Sequence, residues 1–107
     1  MAKPYTHGNS YENDAPHHLY EIQDKEEDDI FKYGISYWPF GKDGLSKRIR
    51  DQLSFLNTIA GWPRYFANIL LKNIAGREEA RRIEDEYIDA YRQEHGRRPK
   101  GNPKRKK

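Results

Sequence analysis

The stretch HHLYEIQDKEEDDIFKYGIS, residues 17–36, decides the fold. His17-His18-Leu19-Tyr20-Glu21-Ile22 is a β-prone run, residues 24–29 (DKEEDD) form an acidic turn, and Ile30-Phe31-Lys32-Tyr33-Gly34-Ile35-Ser36 is a second β-prone run. Two such runs about a polar turn read as an antiparallel hairpin. Side chains alternate along a strand, so His18, Tyr20 and Ile22 share one face, with Leu19 and Glu21 on the other. On the second strand Lys32, Gly34 and Ser36 share a face, and Phe31, Tyr33 and Ile35 share the opposite, core-like one. Lys32 then stands beside a residue with no side chain, a spot where a backbone phosphate approaches closely. If Tyr20 pairs across from that face, a phenol and an amine flank the open spot. Adjacent His17 and His18 point to opposite faces, which argues against a shared metal.

Outward from the hairpin, residues 37–44 contain Pro39, Gly41 and Gly44 and read as a loop. Helical periodicity follows over residues 45–60 and stops near Gly61-Trp62-Pro63. Residues 64–71 (RYFANILL) read as a third strand, 73–76 as a turn, and 77–95 as a second helix ending at Gly96. Residues 1–16 (MAKPYTHGNSYENDAP) have no period and read as a flexible lead-in or junction. Residues 97–107, with Pro99, Gly101 and Pro103, read as an extended basic tail after a domain spanning 17–96. The order β-β-α-β-α predicts an α+β fold, a small three-stranded antiparallel sheet with helices packed against it.

At 107 residues the chain is long enough for one small domain, and with 35% hydrophobic against 35% charged residues its core must be thin. It has no cysteine, which excludes a disulfide framework and thiolate metal sites. Nothing approaches a membrane span, so no membrane anchor is expected. Charge is segregated: residues 1–44 carry four Lys and Arg against nine Asp and Glu, and residues 45–107 carry sixteen against eight. Seven bases and no acid fall in residues 97–107, among them Arg97, Arg98, Lys100, Lys104 and Arg105. Such a tail seeks anions, nucleic acid first among them.

Each helix carries one misplaced charge. A helix turns about 100° per residue. On that wheel Arg48 falls between Phe55 and Ile59, inside the stripe Leu45, Ile49, Leu53, Phe55, Leu56, Ile59 and Ala60. In the second helix Glu84 falls near the middle of Ala80, Ile83, Tyr87, Ile88 and Tyr91. Charges are rarely turned inward without a partner or a task. An inward Arg and an inward Glu point to an anion and a metal ion meeting in one cleft. Tyr87 and Tyr91 read as core, Trp38 and Trp62 as loop residues able to stack on bases, and Arg77, Arg81 and Arg82 as a solvated face.

Together these residues resemble the GIY-YIG endonuclease superfamily, whose hairpin strands carry the two namesake motifs. Leu19-Tyr20-Glu21 is similar to a degenerate first motif and Lys32-Tyr33-Gly34 to the second, with Lys32 where the usual tyrosine stands. Leu45-Ser46-Lys47-Arg48-Ile49-Arg50 is similar to the family's arginine helix and selects Arg48. Glu79-Ala80-Arg81-Arg82-Ile83-Glu84 is similar to its metal-binding helix and selects Glu84. Gln52 stands where many members have His or Tyr, and Asn102 matches a C-terminal Asn of the family. The first motif lacks its Gly and Ile. The closest look is to the URI-like nuclease toxin domains at the ends of bacterial polymorphic and contact-dependent toxins, on "KYGIS" at residues 32–36 and "P-x-G-N" at 99–102.

The resemblance implies a metal-dependent nuclease acting on DNA or RNA. Its implied catalytic residues are Tyr20, Lys32, Arg48, Gln52, Glu84 and Asn102. Lys32 or Tyr20 takes the proton of the attacking water, Arg48 steadies the phosphoryl oxygens and Glu84 holds Mg²⁺. Gly34, Ser36 and the tail cations are the expected nucleic-acid contacts. The resemblance also implies release within a larger exported toxin, action in the cytoplasm of a target bacterium, and a neutralising immunity partner, expected to be acidic. A non-catalytic nucleic-acid-binding or interaction module on the same frame is the competing expectation.

Overall fold

The computed structural model describes residues 15–37 and 39–104. Trp38, residues 1–14 and residues 105–107, hence most of the expected lead-in and Arg105, Lys106 and Lys107 of the tail, lie outside the described residues. The elements are β1 (Pro16–Asp24), β2 (Asp29–Ser36), α1 (Lys47–Ala60), β3 (Tyr65–Ala75) and α2 (Arg77–His95). The three strands form one antiparallel sheet in the order β2-β1-β3, so the α+β expectation and its element order hold. Among the described residues no helix is long and apolar enough to cross a membrane.

Central β1 is paired on both edges and covered on both faces. Its residues from His17 to Ile22 are therefore all buried. The α1 side holds Tyr20, Ile22 and Ile49, with Leu45, Leu53 and Leu56 packed around them. The α2 side holds Leu19, Ile74 and Ala80, then Tyr33, Ile88 and Tyr91. Tyr87 and Tyr91 are core as expected; Tyr87 meets the Tyr33 ring edge-on and the buried Tyr91 donates its hydroxyl to Asp29.

Three local readings need correction. Phe31 does not share a face with Tyr33 and Ile35. Ile22 faces Lys32 while Gln23 faces Ile30, so Phe31 is an inserted residue, and it joins the α1-side cluster. A bulge of this kind re-aims a side chain against the alternation. The expected turn at residues 73–76 belongs largely to β3, which runs on to Ala75. Asn73 adopts φ 58° where the β1–β3 register slips, a conformation asparagine tolerates, and the chain turns at Gly76 with φ 89°. Third, α1 begins at Lys47 because Ser46 caps it, its hydroxyl accepting from the amide of Ile49.

The apolar stripe of α1 is also narrower than the wheel suggests. Phe55 is 65% and Ile59 69% exposed, and Arg48 between them is exposed as well. A three-stranded sheet offers a narrow surface, so the buried arc is the one through Leu45, Ile49, Leu53 and Leu56. On α2 the pattern holds: Ala80, Glu84, Ile88 and Tyr91 are the buried residues. Arg77 is half-buried and close enough to His17 to lower its pKa, so it leaves the solvated face assigned to it.

The acidic turn is tied down at both ends. Asp24, buried, accepts from Arg64 through both oxygens at 2.7 and 2.8 Å. The Arg64 guanidinium beside it holds its carboxyl below the usual carboxylate range. Asp29 accepts from Tyr91 and from Arg97. Each outer strand is met by an asparagine amide acting as a one-residue strand. Asn57 pairs with both backbone groups of Tyr65 at 2.7 and 3.1 Å, and Asn102 with both backbone groups of Tyr33 at 2.7 and 2.9 Å. These contacts occupy backbone groups that an edge strand otherwise leaves open.

His17 and His18 sit in different surroundings, His17 bonded to the carbonyl of Ala15 and His18 against Phe40, ring centroids 4.5 Å apart. The Nε2 of His18 is buried with no hydrogen-bond partner, and burial pushes its pKa down to about 4, with the charges of His17 and Lys72 adding to the effect. The folded chain thus resists a proton that the unfolded chain accepts near 6.5. Stability should fall as pH drops from about 6.5 to about 4, by about 3 kcal/mol in all from this group. Urea melts across that window should show the slope, and His18→Leu should flatten most of it. An unchanged slope in the variant would contradict the assignment.

Candidate functional site

Tyr20 and Gly34 are register partners across β1 and β2. A Cβ built on Gly34 would lie 2.4 Å from both Cζ and the hydroxyl oxygen of Tyr20. Only glycine lets the phenol ring lie over the neighbouring strand, and the ring fills the space that the sequence leaves open for a phosphate. Tyr20 is 1% exposed, and burial raises the pKa of its hydroxyl, against the Gln52 and Arg48 side chains that donate to it.

Gln52 joins the strands to α1. Its Nε2 donates to the Tyr20 hydroxyl oxygen at 2.7 Å, and its Oε1 accepts from Lys32 Nζ at 2.9 Å. The bridging places an amine and a phenol on the two ends of one amide. Burial lowers the pKa of Lys32, the Arg48 cation lowers it further, and Glu84 opposes. A lysine so placed loses its proton more readily than a free one. The open space beside it is a cavity of about 560 Å³ lined by Lys32, Lys47, Arg48, Asp51 and Gln52.

Four of the six residues proposed for chemistry thus converge: Tyr20, Lys32, Arg48 and Gln52. Arg48 reaches the site from the exposed shoulder of α1, not from within its buried stripe. Glu84 is buried, but on the helix that covers the other face of the sheet. It does not line the Arg48 cavity; its charge raises the pKa of both Tyr20 and Lys32 from the α2 side. Among the described residues no group of three His, Cys, Asp or Glu side chains is arranged to hold a metal. Asn102 has its amide engaged with the backbone of Tyr33, next to Lys32, and Gly101 packs so closely that a Cβ there would lie 2.8 Å from that of Lys32. It stands as a clip on the strand that carries Lys32.

The expected nucleic-acid contacts fare unevenly. Ser36 is buried, its hydroxyl 3.2 Å from that of Ser46, where it supports the α1 cap. Arg97 is bonded to Asp29 and Arg98 to the carbonyl of Asn102, so residues 97–102 close on the sheet in a turn and do not extend from it. Lys100 and Lys104 are exposed. Two cavity residues escape the sequence reading. Lys47 and Asp51 form an ion pair of 2.7 Å one helical turn apart, and their adjacency to Arg48 and Gln52 was the available signal.

The family model described as URI fold toxin 2 (Tox-URI2) matches residues 10–96. The match spans most of the chain, which belongs to that toxin family. No curated protein and no solved structure matches it.

The clip at Asn102 is testable by itself. Asn102→Ala should remove two hydrogen bonds to Tyr33 and cost about 1–3 kcal/mol in a denaturant melt. Hydrogen exchange at the Tyr33 amide should speed up in parallel. Unchanged protection of that amide would mean that the tail does not hold β2.

Proposed function

We propose that this member of the URI fold toxin 2 family is a metal-dependent nuclease of the GIY-YIG type, hydrolysing phosphodiester bonds of DNA or RNA. The observation that carries the reading is the amide bridge from Lys32 through Gln52 to Tyr20, at the wall of a cavity that also holds Arg48. Phosphodiester cleavage needs a base, a cation on the phosphoryl oxygens and a means of positioning both. A half-buried amine of lowered pKa, a guanidinium and a fixed amide answer those needs.

In this reading water attacks phosphorus in line. Neutral Lys32 takes its proton as the new P–O bond forms and the bond to the leaving oxygen breaks. Gln52 keeps the amine pointed at the cavity through its carbonyl, and holds the Tyr20 oxygen through its amide, leaving the phenol proton free to be donated. Arg48 carries the added negative charge on the phosphoryl oxygens through charge-assisted hydrogen bonds. Glu84 is the carboxylate whose charge reaches Tyr20 and Lys32, and a lone carboxylate suits Mg²⁺, which takes its other ligands from water and substrate phosphates. Glu84 would be the carboxylate to hold Mg²⁺, and the ion would supply positive charge toward the reacting phosphate from the α2 side.

Membership of a toxin family supports the wider setting. In it the domain is delivered as part of a larger exported toxin, acts in the cytoplasm of a target bacterium, and is held harmless by an immunity partner. A cavity lined by Lys32, Lys47 and Arg48 against the one acid Asp51 favours an acidic one.

The test is cleavage of plasmid DNA and of total RNA, in Mg²⁺ or EDTA, by the chain and three variants. The wild type should cut only with the metal present. Arg48→Ala should lose on the order of 10²–10³ in rate, as for removal of an oxyanion donor, and Glu84→Gln should lose cleavage while keeping the fold. Arg50→Ala should change little, since Arg50 lies outside the cavity. A wild type inert on both substrates, or equal effects at Arg48 and Arg50, would overturn the reading and favour a non-catalytic binding module.

A further inference from the structure

Phe55 and Ile59 remain 65% and 69% exposed on consecutive turns of α1. Single exposed apolar residues are ordinary, but a row of them is not. This row is in line with Arg48: Phe55 lies seven positions after Arg48, nearly two full turns, so the two lie on one side of the helix about 10 Å apart along its axis. One end of the row is the cavity with Lys32, Arg48 and the Lys47–Asp51 ion pair, a net positive lining. The other end is an aromatic ring and a branched aliphatic side chain that the described residues leave largely uncovered.

We propose that the α1 row from Arg48 through Phe55 to Ile59 takes unpaired bases of a nucleic-acid strand, so that the site acts on single-stranded or locally opened nucleic acid in preference to closed duplex. The inference rests on the nuclease reading and names its substrate class. Charge complementarity favours a strand as the occupant, since cations at one end suit phosphates and an exposed ring at the other suits a base plane. The spacing along the helix corresponds to about three stacked nucleotides. In a closed duplex the base faces are already stacked, and a phenyl ring meets only backbone and groove edges. An unpaired base offers its face, and stacking on an aromatic side chain raises affinity by about five- to hundredfold per base.

A second observation points the same way. Arg97 and Arg98, the first cations of the basic tail, are spent on Asp29 and on the carbonyl of Asn102. Cations facing the cavity are thus contributed by β2 and α1, at the head of the apolar row.

The test is binding of the full chain, in EDTA, to a fluorescein-labelled run of twenty thymidines and to a closed duplex of equal length, read by fluorescence anisotropy. Phe55→Ala with Ile59→Ala should weaken single-strand binding about tenfold or more and leave duplex binding within twofold. Both residues are exposed, so the melting midpoint should not move. Phe55→Trp should keep the affinity, and its emission should be quenched by the oligonucleotide. Equal losses on both probes, or no loss on the single strand, would overturn the inference. So would loss of an acidic protein partner with oligonucleotide binding intact, which would make the row a protein-docking face. A wild type that cuts nucleic acid while the row proves irrelevant sinks this inference alone; one that binds neither probe and cuts neither plasmid DNA nor total RNA sinks the nuclease reading with it.

Discussion

The ring of Tyr20 lying over Gly34 is the contact on which the rest of the site depends. It is possible because position 34 has no Cβ; one built there would sit 2.4 Å from the ring. The contact fixes the hydroxyl at the height where Gln52 reaches it, and Gln52 in turn fixes Lys32. Because Gln52 belongs to α1, the same chain of bonds sets how that helix lies on the sheet, together with Ile49 in the core beside Tyr20 and Ile22. Fold and site share their central residues, which suits a chain too short to keep them apart.

The outer strands are secured by side chains in place of further strands. Asn57 and Asn102 each imitate one residue of a neighbouring strand. The acidic turn adds ion pairs: Asp24 and Glu26 with Arg64 draw in the start of β3, and Asp29 with Arg97 draws in the segment after α2. A charge pattern that reads as an acidic first half facing a basic second half is, in the folded chain, partly an internal pairing of the two. That consumes cations a tail would otherwise offer to phosphates, and leaves Lys32 and Arg48 as the positive feature of the cavity, where Lys47 is paired with Asp51.

Much of this was legible in the sequence. The hairpin, the two helices and their order follow from periodicity and turn residues, and Tyr20, Lys32, Arg48 and Gln52 do converge. The rest was hidden for physical reasons. Both faces of β1 are covered, so its residues do not alternate between polar and apolar, and the bulge at Phe31 reverses the pattern on β2. The helical wheel gives direction but not the width of the surface it meets, which put Phe55, Ile59 and Arg48 inside a stripe they only border. Position on a wheel likewise cannot say which face of the sheet a helix covers, so Glu84 and Arg48 read as neighbours although their helices lie on opposite faces. The role of Asn102 depends on a contact made 69 residues away in sequence, beyond any local rule.

In the proposed mechanism Lys32, partly desolvated and held by Gln52, is the base. Its pKa lies below that of an ordinary lysine because burial and the Arg48 cation both disfavour the ammonium. The amine must be neutral to accept a proton, so activity should rise with pH as the ammonium is lost and then level off. The most direct measurement is the pH dependence of single-turnover cleavage in the wild type and in Lys32→Arg, whose guanidinium stays charged throughout. The wild type should show a rising limb that levels below the ordinary lysine range, and the variant should lose that limb together with most of the rate. The same limb and rate in Lys32→Arg would contradict it.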